Sequence, residues 1–202
     1  MKKILITVLI LAVTLTSVFA YDDFDDEDYF YSFSNITTGY GAVYLDRDAF
    51  YNTVDLGFSF NFAGLDDTRS FGIGVGSRFD VLFGAGNSRN YLGVDFLVGP
   101  FLTFRLNRST KINLTVGPDF GFYTFGGRSE YYSIGPGADV SVVLTPPTLD
   151  IFSFAAGVVG SAKFSVSDSV SGVCISAIPY VAFNFNFTPT PYYYPYGALV
   201  IY

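Results

Sequence analysis

Hydrophobic and polar residues alternate through most of the chain, from about residue 34 to residue 187. In one clear segment, Val54, Leu56 and Phe58 alternate with Asp55 and Gly57. This period of two is typical of β-strands, and no sustained helical period is present. The pattern predicts eight strands separated by short links at 46–50, 66–70, 85–90, 107–111, 125–130, 146–150 and 167–171.

The short links determine how the predicted strands are connected. A parallel crossover needs about a dozen residues or more, so neighbouring strands joined by these links are antiparallel. Eight strands that run up and down in sequence order can close into a barrel. The sequence therefore predicts an all-β fold, a closed antiparallel up-and-down β-barrel of about eight strands.

The two faces of the strands indicate the surroundings of the barrel. The polar positions carry Gly, Ser, Thr, Asn and Asp, which suit a narrow lumen better than a water-exposed exterior. The other face carries Phe, Val, Ile and Leu, more than so narrow a barrel can enclose. We therefore predict a transmembrane barrel, with interfacial aromatic girdles formed by Tyr44, Tyr51, Phe62, Phe71, Tyr91, Phe104, Tyr132, Phe152 and Phe187.

Composition supports this interpretation. Charged residues make up 14% of the chain, whereas soluble domains carry about 25%. The chain contains no His, which excludes Ser–His and Cys–His nucleophile pairs as well as His-ligated metals. A single cysteine, Cys174, allows no internal disulfide and is predicted to fill space inside the barrel. We predict no catalytic site beyond a formally possible aspartate pair, no cofactor, no metal site and no nucleic-acid partner.

The two ends of the chain differ from its body. Residues 1–20 have a basic start, an apolar core and the sequence Val18-Phe19-Ala20, which predicts a cleaved signal peptide. An acidic run then marks residues 21–33 as a leader before the barrel at 34–187. Repulsion between like charges favours a solvated segment, and the alternative is a segment that binds a cation or a partner. Residues 188–202 are rich in Pro and Tyr, and the alternatives for this segment are a tail, a plug, or a link to an additional terminal strand.

In pattern and length, residues 34–187 resemble the small eight-stranded outer-membrane proteins, such as the OmpW and OmpX groups and the membrane domain of OmpA. The resemblance implies a monomer in the outer membrane, surrounded by lipid. It also implies assembly with periplasmic chaperones and the barrel-assembly machinery, which is thought to read a terminal aromatic strand. Two segments match such a strand, one containing Phe183, Phe185 and Phe187 and one ending at Tyr202.

Charged residues on the polar face are the candidate functional groups. Their alternation places them in the lumen, where buried charges must be paired or hydrated. One interpretation is a salt-bridge network that fills the lumen, and another is a narrow passage that prefers cations. A Ca²⁺ site would use the same carboxylate oxygens, but the spacing matches no recognised loop motif and we do not predict one. The sequence favours a narrow passive channel for ions or small solutes, with a plugged structural or surface-interaction barrel as the alternative. The candidates are Asp55, Arg78, Asp80, Asp95, Asp119, Asp139 and Lys163.

Overall fold

A computed structural model describes residues 30–45, 49–64, 70–86, 89–107, 109–125, 129–146, 152–166 and 172–186. Eight strands occupy these ranges. The described residues contain no helix that is long and apolar enough to cross a membrane. The strands are β1 (Phe30–Leu45), β2 (Ala49–Gly64), β3 (Phe71–Gly86), β4 (Arg89–Asn107), β5 (Thr110–Phe125), β6 (Ser129–Leu144), β7 (Phe152–Ser165) and β8 (Val173–Asn186).

The strands form one closed barrel in sequence order, and each pairs antiparallel with the next. β8 pairs with β1 and completes the closure, for example between Ile36 and Phe183. The predicted all-β up-and-down barrel of eight strands is therefore confirmed. Unpaired backbone groups at a strand edge are costly in lipid, and closure leaves no unpaired edge among the described strands.

We name the two ends of the barrel by the strand termini that lie there. The terminus end is the one at which β1 begins and β8 ends, and the opposite end is the far end. The first strand begins at Phe30, four residues before the predicted start at residue 34. Its extra residues pair with β2, as Tyr31 does with Ala63, so the stretch assigned to the leader (21–33) contains the start of a strand.

Outward positions form an apolar surface around the whole barrel. Every strand contributes exposed large hydrophobic side chains, and no charged side chain among those described points outward. Such a surface is stable in hydrocarbon and unfavourable in water. Examples from β1 to β8 in order are Ile36, Phe58, Phe79, Leu92, Val116, Val140, Phe154 and Ile175.

Prolines lie on this outward face at mid-strand, where a proline normally weakens a sheet. Pairing of β4 with β5 is interrupted between Leu97–Asp119 and Phe101–Thr115, the interval that contains Pro100 and Pro118. Similar interruptions accompany Pro136 in the β6–β7 pairing and Pro179 in the β8–β1 pairing. The missing N–H groups explain these gaps, because a proline cannot donate to the neighbouring strand.

A glycine precedes three of these prolines, and the structure shows why. Extending the β4–β5 register across the gap places the Val98 carbonyl opposite Pro118, which has no N–H to donate. That carbonyl oxygen occupies the space that a Cβ on Gly117 would need. The same relation holds between Val116 and Gly99, next to Pro100. Glycine is therefore required at these positions by the close approach of a neighbouring carbonyl.

Candidate functional site in the barrel lumen

Arg78 of β3 occupies the middle of the lumen and is almost completely buried. Its Nε donates to both carboxylate oxygens of Asp80, at 2.9 Å each. Its Nη2 lies 2.9 Å from Asp55 Oδ2, and its Nη1 lies 3.2 Å from Asp139 Oδ2. These four residues, which we call the arginine network, join β2, β3 and β6 across the lumen.

Two further contacts fix the guanidinium plane. Nη2 also donates to the hydroxyl of Thr37 at 3.1 Å, and the Tyr180 ring centroid lies 4.1 Å from the guanidinium carbon. Gly57 makes room for the group, because a Cβ there would overlap Asp80 and Thr37. The planar fork of arginine can satisfy several partners at once in this way, whereas the ammonium of lysine is a single point charge.

Lys163 of β7 forms a second centre that we call the lysine network. Its Nζ lies 2.6 Å from Asp95 Oδ2 and 2.9 Å from Asp119 Oδ2, and the side chain is fully buried. The Tyr123 hydroxyl donates to the other oxygen of Asp95 at 2.7 Å. The thiol of Cys174 lies 3.6 Å from that hydroxyl. Charge-assisted bonds of this kind are short and are stronger than bonds between neutral groups.

All seven predicted lumen residues thus point inward, and the structure divides them between the two networks. The networks adjoin, because Asp80 of the first is the cross-strand partner of Asp95 of the second. Every one of the five carboxylates accepts a hydrogen bond or an ion pair from Arg78 or Lys163. Among the described residues, no group of three or more His, Cys, Asp or Glu side chains is arranged to hold a metal ion.

The far end of the lumen is filled by buried aromatic and aliphatic side chains that we call the tyrosine cluster. Tyr91 is central, with its ring centroid 5.1 Å from that of Tyr51 and 5.8 Å from that of Tyr123. Its hydroxyl is 2.6 Å from that of Thr53. The cluster comprises Val43, Leu45, Tyr51, Leu82, Tyr91, Tyr123, Tyr131, Cys174 and Ile178.

The positions of two tyrosines in this cluster differ from the sequence-based prediction. Tyr51 and Tyr91 were expected in the outer aromatic girdle, but they are 3% and 4% exposed and point inward. Both have odd numbers, like Asp55 and Asp95 on the same strands, and side chains two residues apart share a face. The alternation could therefore have placed them correctly, had the position near a strand end not been given more weight.

Between the arginine network and the terminus end, the lumen is lined mainly by small polar side chains. Asn35 donates to Ser59 at 2.7 Å, and Thr115 donates to Asn61 at 3.5 Å. Several buried polar atoms here have no protein partner, including both side-chain polar atoms of Asn113. A smaller apolar cluster of Val143, Ala155, Tyr180 and Ala182 packs on the β6–β8 side.

The candidate assembly signals lie partly outside the described residues. Phe183 points outward, is 56% exposed, and packs edge-on against Phe154 with centroids 5.3 Å apart. Phe185 pairs through its backbone with Ser34 of β1 and Phe152 of β7. Phe187 and Tyr202 lie outside the described residues, as do the predicted signal peptide 1–20 and the segment 188–202.

The closed barrel, its apolar exterior and its filled lumen define a class of fold, that of the small eight-stranded outer-membrane β-barrels. Neisserial surface protein A has a similar structure, with a TM-score of 0.51 and 14% sequence identity over 78% of this chain and 97% of that one. Ail, the attachment invasion locus protein of Yersinia pestis, gives a TM-score of 0.45 and 14% identity over 78% and 99% of the two chains. No protein-family model and no curated protein sequence matches the chain. The structural likeness confirms the predicted resemblance at the level of fold.

Proposed function

We propose that this protein is an integral outer-membrane barrel whose lumen is closed, and that it acts as a structural or surface-interaction protein without transport or enzymatic activity. The observation that carries the proposal is the filling of the lumen by protein side chains along the barrel axis. The tyrosine cluster occupies the far end, and the two charge networks occupy the middle. An open channel needs a continuous water-filled path, and this packing supports the plugged barrel over the narrow channel.

The charge networks support the same proposal. A cation-selective channel presents carboxylates to passing ions. Here Arg78 and Lys163 engage every one of the five lumen aspartates. Breaking these buried pairs to admit an ion would leave charges without partners, at a cost of about 3–5 kcal/mol for each broken pair. The networks therefore favour a role in stabilising the barrel.

The outer surface supports placement in a membrane. An apolar belt around all eight strands needs a hydrocarbon environment, and the proposed location is the outer membrane with lipid as the main partner. Since the barrel is closed, a monomer is sufficient, and we propose delivery by periplasmic chaperones and insertion by the barrel-assembly machinery. Surface interactions would then use the links between strands.

Planar-bilayer recording of the full-length protein tests the closed lumen. We expect no current steps above background, with a trimeric porin in the same bilayer as the positive control. The variant Tyr91→Ala should increase leakage because it opens the tyrosine cluster. The variant Phe83→Ala removes an exposed outward ring from β3 and should leave the current unchanged.

Reproducible current steps from the unmodified protein would overturn the proposal. If Asp80→Asn also lowered the cation selectivity of that current, the narrow-channel interpretation would replace the closed-lumen proposal. Membrane fractionation tests the location separately, since the folded barrel should remain with the outer membrane. In detergent it should also migrate as a compact species on gels until it is boiled.

A further inference from the structure

A small cavity lies in the lumen between the arginine network and the terminus end. Its volume open to a water-sized sphere is about 10 Å³, which is close to the space that one water molecule needs. The polar side chains that line it come from four different strands, β1, β2, β5 and β6. They are Asn35, Asn61, Asn113, Thr115, Asp139 and Ser141.

Three polar atoms of the residues that line this cavity have no protein partner. They are Nδ2 and Oδ1 of Asn113 and Oδ1 of Asn35, and the two residues are only 3% and 4% exposed. The other end of the Asn35 amide is already fixed, because its Nδ2 donates to Ser59. A buried polar group without a partner costs about 1–3 kcal/mol, so three such atoms on residues around one cavity favour a bound polar molecule.

We infer that this cavity is a binding site for one water molecule. The water would donate to Oδ1 of Asn35 and Oδ1 of Asn113 and accept from Nδ2 of Asn113. Buried waters typically make about three such bonds, and the cavity offers that number. A neutral ligand fits better than a cation, because both oxygens of Asp139 already accept from Arg78 and Tyr180.

The site gives the barrel a wet half and a dry half. A water bound here would lie beside Asp139 at the base of the arginine network, on the terminus side, where the lining is amide and hydroxyl. The tyrosine cluster excludes it from the far end, where Val43, Tyr123 and Cys174 are fully buried. Hydration on one side only is compatible with a lumen that does not conduct, because the two halves are separated by buried ion pairs.

Water-to-protein NOE measurements on the full-length protein in deuterated detergent micelles test the site. We expect cross-peaks between water and the side-chain Nδ2 protons of Asn113, with the sign that indicates a long residence time. The variant Asn113→Leu should weaken or abolish the water contacts of the Asn35 amide, whose Oδ1 is the other proposed partner of the water. As leucine has a similar size and needs no hydrogen bond, we expect that variant to fold.

The matched control is a residue on the dry side of the lumen. The Cβ protons of Cys174 should show no water cross-peak in the same spectra, since this residue lies in the tyrosine cluster. Absence of a cross-peak at Asn113 would overturn the water site, as would an Asn113 signal that shifts with sodium concentration, which would indicate a cation. Equal cross-peaks at Asn113 and Cys174 would also overturn it, because they would show water throughout the lumen.

Discussion

Removing Arg78 should be among the most damaging single changes in this barrel. The guanidinium forms ion pairs with Asp55, Asp80 and Asp139, and the side chain is itself 1% exposed. The variant Arg78→Met keeps much of the length and volume of the side chain but removes its charge and its donors. It therefore leaves three buried carboxylates that have lost their cation.

The size of the effect follows from these contacts. Removing one partner of a buried ion pair typically costs about 3–5 kcal/mol, because the remaining charge stays buried. The same three carboxylates also indicate how to reverse the loss. Adding Asp55→Asn and Asp80→Asn removes two of the three unpaired charges, so the triple variant should regain most of the lost stability.

Equilibrium unfolding by urea in lipid vesicles measures this difference, monitored by tyrosine fluorescence because the chain contains no tryptophan. With a slope of about 2 kcal/mol per molar urea, a loss of about 4 kcal/mol lowers the midpoint by about 2 M. The matched control is Phe79→Leu. Phe79 follows Arg78 on β3, and its exposed ring faces outward. It should move the midpoint only slightly.

A change of less than about 0.5 kcal/mol for Arg78→Met, which is within the range of ordinary surface substitutions, would refute the reasoning. It would show that the three carboxyl groups are hydrated or protonated without Arg78, and hence that its ion pairs contribute little to the stability of the barrel. Failure of the two Asn substitutions to restore stability would contradict the electrostatic explanation specifically.

Three further changes test other parts of the barrel by the same unfolding assay. Gly117→Ala should destabilise the barrel by about 1–3 kcal/mol through overpacking against the Val98 carbonyl. The control Gly160→Ala should cost less, because a Cβ there comes no nearer than 3.0 Å to a neighbouring strand. Equal costs for the two variants would exclude the carbonyl as the cause. Pro118→Val should stabilise by about 0.5–1.5 kcal/mol, because it supplies the missing N–H, and a loss would contradict the proposed pairing gap. Tyr123→Phe should lower the free energy of unfolding by about 1.5–3 kcal/mol, since it removes a donor to the Asp95 carboxylate. The Tyr91 hydroxyl bonds the neutral Thr53 instead, so a larger loss for Tyr91→Phe than for Tyr123→Phe would contradict the lysine network.

The alternation of residues was sufficient to predict the barrel and the direction of its charged side chains. A period of two assigns each side chain to a face, so Asp55, Arg78 and Lys163 could be placed in the lumen without any knowledge of their partners. The pairing of Arg78 with Asp139, 61 residues later, depends on the stagger between strands. That stagger is set by barrel closure and cannot be read from a single strand.

The filling of the far end was accessible to the same reasoning but was missed. Val43, Tyr91 and Tyr123 share the parity of the small polar residues, which places all three in the lumen. The girdle prediction for Tyr91 gave more weight to its position near a strand end. The glycines opposite these rings were a further signal. A Cβ on Gly84 or Gly93 would overlap the Tyr91 or Tyr123 ring, so glycine here provides the space that the tyrosines fill.

Reactivity of the single native thiol tests the closed lumen most directly, because it requires no substitution. Cys174 is fully buried in the tyrosine cluster, and its thiol lies 3.6 Å from the Tyr123 hydroxyl, which donates to Asp95 of the lysine network. In the folded protein, reconstituted in vesicles and exposed on both sides to a small methanethiosulfonate reagent, we expect no modification by mass spectrometry. Urea-unfolded protein should be modified completely. Modification of the folded protein at a rate close to that of the unfolded chain would contradict the account, because it would show that the lumen is open to solvent.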